Sequence, residues 1–190
     1  KFAQDILIPK VIDYIENYNG KYANIVYTDE ILNEIVIEDI GIGFDKIIEK
    51  GHENFKNGKF LEALKYYNTA ITIDETPDLL FFMGDALFSL NCFDRAKPIF
   101  EKLVELEGEK VETLDRLMYI YDFTRNIEKT LYYCGKVLPL LGDSEYDMDY
   151  SIFCYATMFD IYVSQGEEKK AREIMDIVSG LSTSEVNKDI

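Results

Sequence analysis

Small and aromatic residues recur at fixed offsets in this chain, and that recurrence constrains its fold more than any other feature. Within residues 51–77, GHENFKNGKFLEALKYYNTAITIDETP, the marked positions are Gly51, Phe55, Gly58, Phe60, Ala63, Tyr67, Ala70 and Pro77. Gly84 stands 33 positions after Gly51, and Phe93, Ala96, Phe100 and Leu103 answer to Phe60, Ala63, Tyr67 and Ala70. Met118 takes the small-residue place 34 positions later, followed at the same offsets by Ile127, Thr130, Cys134 and Val137. A fourth set reads Phe159, Glu168, Ala171, Met175 and Val178, with Gly166 at the turn as Gly58 is in the first. Glycine at a crossing point lets two helices approach closely, while aromatic side chains fill the space around it. A helix pair cannot bury both of its faces alone, so stacked pairs complete the core. That places Leu80, Met83, Leu87, Leu114, Leu117 and Tyr121 in buried positions.

Residues 51–77 resemble one tetratricopeptide repeat, an antiparallel helix pair of about 34 residues. The resemblance implies an all-α, right-handed alpha-alpha superhelix, a TPR-like helical repeat solenoid. The expected layout is a helical N-terminal extension or degenerate repeat over 1–43, three to four repeat units over 44–183, and a frayed C-terminus over 184–190. It further implies a non-catalytic protein–protein interaction module whose first helices line a concave groove. Carried onto this chain, groove residues include His52 and Phe55, then Phe81, Asp85 and Phe88, then Asp115, Tyr119 and Asp122, then Asp160. The alternative for Phe55, Phe88 and Phe123 is sideways packing between neighbouring helices; the aspartates, rarely buried, are the better groove candidates. Aromatics interleaved with aspartates suit a basic or amphipathic peptide. The clamp by which some such domains hold a terminal carboxylate is absent: of its matching places, Ile48, His52, Phe82, Glu112 and Arg116, only Arg116 fits. Alternatives are a secretion-type chaperone for unfolded substrates, or a regulatory array excised from a larger multidomain protein, since the chain begins at Lys1.

Composition narrows the partner. Hydrophobic residues make up 47% and aromatics 14%, which is too apolar for a disordered chain. Asp and Glu number 36 against 20 Lys and Arg, giving a net charge of −16. Such a field repels phosphate backbones and argues against nucleic acid. No apolar run reaches the roughly 18 residues that a membrane span needs. Cys92, Cys134 and Cys154 show no CxxC spacing and are read as reduced thiols of a cytoplasmic protein.

Chemical motifs are weak. His52 is the single histidine, so a multi-histidine metal site is excluded, and no Ser or Cys lies near it for nucleophilic catalysis. No cofactor, catalytic or metal-binding set is assigned. Asp143, Glu145, Asp147 and Asp149 alternate, but a calcium loop beginning at Asp143 would put Met148 and Cys154 where Gly and Glu are required. An acidic loop that also caps a helix is the plainer expectation. The extra residues of roughly 145–151 either lengthen the next helix or form a loop. Asp115 and Glu112 read as a charged, solvated helix face. Pro9 to Tyr18 is expected to be helical, as is a stretch begun by Thr28 with an Ile31, Leu32, Ile35, Val36 stripe. Gly41-Ile42-Gly43 reads as a helix break. An uncapped apolar end after Val178 invites a homo-dimer.

Overall fold

The structure, a computed structural model, describes residues 29–35, 43–142 and 144–186. The expected helix over Pro9 to Tyr18, the Thr28 start, Val36 and Gly41-Ile42 lie outside the described residues. Every described element is helical, and consecutive helices pack as pairs joined by tight turns. The described residues fall into two compact units, divided between 120 and 121 and called here the 25–120 unit and the second unit.

The 25–120 unit opens with a single turn, α1 (Asp29–Leu32), shorter than the expected stripe. Leu32 is buried while Ile31 and Ile35 are partly exposed, so among the described residues of that stripe only Leu32 reaches the core. Next come α2 (Phe44–Lys56) and α3 (Phe60–Ile71), with Gly43 at positive φ before α2. Ile47 and Gly51 from α2 meet Ala63, Leu64, Tyr67 and Ala70 of α3 in a closed core. Gly51 is required there: a Cβ on it would lie 2.6 Å from Cε1 of the Tyr67 ring. The next pair, α4 (Pro77–Ser89) and α5 (Phe93–Glu107), repeats the device, with a Cβ at Gly84 falling 3.0 Å from the Phe100 ring. Thr76 caps α4 by accepting the Leu79 amide, and Pro77 occupies the first turn, where no amide partner is needed. The following helix, α6 (Val111–Phe123), buries Leu114, Leu117, Met118 and Ile120. Leu80, Leu87, Leu114, Leu117 and Tyr121 are buried, whereas Met83 is only half-buried.

In the second unit, α7 (Ile127–Val137) starts at Asn126, whose side chain accepts the Lys129 amide, and runs into a short 3-10 turn at Leu138–Leu140. Tyr121 and Tyr133 stack with ring planes 12° apart. The acidic stretch is helix rather than loop. Ser144 accepts the Asp147 amide at 3.1 Å and donates its hydroxyl to the Asp147 carboxylate, starting α8 (Glu145–Ser164). The extra residues therefore lengthen this helix. Its partner α9 (Glu168–Val186) packs against it and continues past Gly180.

One turn geometry joins the helices of all four pairs. Gly58, Asn91, Arg125 and Gly166 each adopt positive φ, between 57° and 72°. Each donates its amide to the carbonyl three residues back, and the next residue donates to the carbonyl five back. That double bond closes the orphan carbonyls of a helix end in a Schellman arrangement.

Candidate protein-binding surface

The sequence-derived surface residues of the 25–120 unit come from the first helices of successive pairs. Phe82 is the hub of their aromatic part. Its ring lies 4.1 Å from that of His52, and Phe55, Tyr67 and Phe81 also sit edge-on or tilted against it. Phe55 further packs on Phe60, and Phe81 on Phe100. Tyr67 and Phe100 are fully buried, whereas His52, Phe55, Phe81 and Phe82 are half-buried: contacts fix them, yet each keeps part of its area open. His52 Nδ1 lies 3.1 Å from the Tyr67 hydroxyl. Burial, with the Lys56 charge in support, lowers the His52 pKa and so favours the neutral imidazole.

The acidic part of this surface is already matched from within. Arg116 Nε donates to Asp85 at 2.6 Å, one of its terminal nitrogens donates to Asp115 at 2.8 Å, and its guanidinium lies 4.9 Å from the Phe88 ring centroid. Asp115 is 8% exposed. Its carboxyl is pushed up to about 6 because burial outweighs the opposing pull of Arg116, with Asp85 and Glu112 adding repulsion. Glu112 is exposed, as expected of a solvated face, and Asp115 is the correction: Arg116 makes its burial tolerable. Tyr119 is buried as well, edge-on to Phe88 and Phe93.

Asp122 and Asp160 belong to the second unit. Asp122 is half-buried and its pKa is raised by burial, with Arg125 opposing and Asp160 adding to the rise. Asp160 is exposed. Sequence reasoning missed Phe82 and Arg116 as organising residues. Phe82 lies one position from the counted Phe81, and no spacing rule shows that Arg116 reaches back 31 residues to Asp85.

A tetratricopeptide repeat model matches residues 48–77 and 77–110. These residues form two tetratricopeptide repeats. The paired helices, the Gly51 and Gly84 crossings and the repeated turns are the physical form of that match. A tetratricopeptide repeat is a protein–protein interaction scaffold, in general non-catalytic, and its partners are proteins or peptides. No curated protein matches the chain. Among the described residues, no helix is long and apolar enough to cross a membrane, and no group of three or more His, Cys, Asp or Glu is placed to hold a metal ion.

Proposed function

We propose that the tetratricopeptide repeats of this chain form a non-catalytic adaptor that binds a basic or amphipathic peptide segment of another protein. The observation that carries this reading is the half-buried aromatic row on the first helices of adjacent repeats, Phe55, Phe81, Phe82 and Phe88. Ring contacts hold these side chains in place before binding, so the partner bears most of the ordering cost. Apolar anchors would cover the open ring area. The excess of acid, with Asp122 and Asp160 among it, would favour cationic side chains and slow wrong partners. His52 faces a tyrosine hydroxyl rather than a nucleophile, in keeping with an adaptor. Three cysteines without CxxC spacing suit a cytoplasmic setting.

The test is a peptide array that varies cationic and apolar content, probed with the full chain at low and high salt. Selective capture of cationic peptides with Leu or aromatic anchors, weakened by salt and by Phe81→Ser or Phe55→Ser, is the expected result. Capture that ignores peptide charge, or that survives both substitutions unchanged, would remove this reading.

A further inference from the structure

The second helices of the two matched repeats carry a different kind of contact. Residues 29–35 lie across α3 and α5 as a bound peptide would. Asn68 of α3 is 6% exposed, and its side-chain amide donates to the main-chain carbonyls of Leu32 at 2.7 Å and Glu34 at 3.1 Å. A buried amide that reads two backbone carbonyls recognises a chain in a set conformation whatever its side chains. Side-chain chemistry supplies the rest. Leu32 is 4% exposed, Arg95 of α5 binds both Asp29 and the Asn33 side chain, and Lys65 of α3 pairs with Glu34 at 3.2 Å. Within a chain of net charge −16, two cations and a buried amide thus converge on one acidic heptapeptide, Asp-Glu-Ile-Leu-Asn-Glu-Ile.

The geometry points to a second peptide-docking site on α3 and α5, selective for acidic, leucine-bearing segments and occupied in cis by residues 29–35. Its preference is opposite in sign to that of the aromatic row and does not depend on that reading. The cis segment is lightly held, with one apolar side chain buried and Ile31 and Ile35 40% and 38% exposed, so an equivalent acidic segment can replace it. Its own linkage gives it the advantage of high local concentration.

A fluorescein-labelled, end-blocked peptide of residues 29–35 is the probe, titrated by anisotropy against the full chain. The intact protein should bind it at least about ten-fold more weakly than the triple variant Asp29→Ala, Leu32→Ala, Glu34→Ala, in which the cis segment no longer competes. Adding Arg95→Glu to that variant should abolish binding, and a scrambled peptide should not bind. Equal binding by intact and triple-variant proteins of equal helicity, or binding that survives Arg95→Glu, would overturn the site. If the triple variant does not fold, hydrogen exchange on the single variant Arg95→Ala decides. Faster exchange of the Asn33 and Glu34 amides, which donate to Asp29 and Ile31, is expected, and unchanged protection there would overturn the proposal.

Discussion

A methyl group at Gly51 would lie 2.6 Å from the Tyr67 ring, and that ring has nowhere to go. Tyr67 is fully buried, its hydroxyl faces His52 and its ring faces Phe82. Helix propensity favours alanine over glycine by about 1 kcal/mol, whereas overpacking a closed core costs about 1–3 kcal/mol. Overpacking wins at this position. Gly51→Ala should lower unfolding stability in urea by about 1–2 kcal/mol. Gly135 gives the opposite case: it sits inside α7 with nothing near the place of a Cβ, so Gly135→Ala should raise stability by up to about 1 kcal/mol. Asp115 adds a pH term. Its folded pKa of about 6 exceeds the unfolded value, so the native state holds the extra proton between roughly pH 4 and 6. Its contribution is most favourable below pH 4 and is lost as pH rises through 6, an effect on the order of 3 kcal/mol. The urea stability of the intact chain relative to Asp115→Asn should therefore improve as pH falls from 7 to about 4. A difference that stays flat would mean that Asp115 is not desolvated as described.

At the scale of the helix pair, the sequence announced the positions where backbones approach and was silent about much of what secures them. Gly51 and Gly84 were legible because only glycine fits opposite Tyr67 and Phe100, and their spacing repeats. Gly58 and Gly166 were legible at turns for a different reason, the positive φ that glycine adopts without strain. Asn91 and Arg125 hold the identical left-handed geometry without being glycine, because the two amide bonds of the turn outweigh the strain of a Cβ there. Arg125 is the less natural occupant, since it has no short polar side chain to support that conformation. Arg125→Gly should raise the melting temperature, with a gain of about 1 kcal/mol from relieved strain less the entropy cost of glycine. A lower melting temperature would show that the Arg125 charge beside Asp122 matters more than the strain. The length of α8 was undecided in sequence because an acidic run suits both a loop and a helix N-terminus; the Ser144 cap decides it. The candidate surface was read less well. Offsets place residues on helices but do not show which charges a distant side chain has already neutralised, and Arg116 does so for Asp85 and Asp115.

Over the described residues, a share of the basic side chains is spent on internal pairs. Lys65, Arg95, Lys102, Lys110, Arg116, Lys170 and Arg172 each meet a carboxylate within salt-bridge distance, and the remaining acid dominates the field. Two effects of added salt then compete. Contact pairs of 4 Å or less lie well inside the Debye length, about 8 Å at physiological ionic strength, and exposed ones contribute only about 0–1 kcal/mol each. Repulsion among the carboxylates acts over longer distances, where screening removes most of it once the Debye length shrinks from about 30 Å at 10 mM salt. Net repulsion is therefore the larger salt-sensitive quantity, and a charge of −16 makes it substantial. The melting temperature should rise by a few degrees as sodium chloride increases from about 10 to about 150 mM, while the association rate of a cationic peptide falls over the same range. The opposed responses share one cause, so both must appear. A melting temperature that drops with salt would mean that the contact pairs hold the fold more firmly than their exposure suggests.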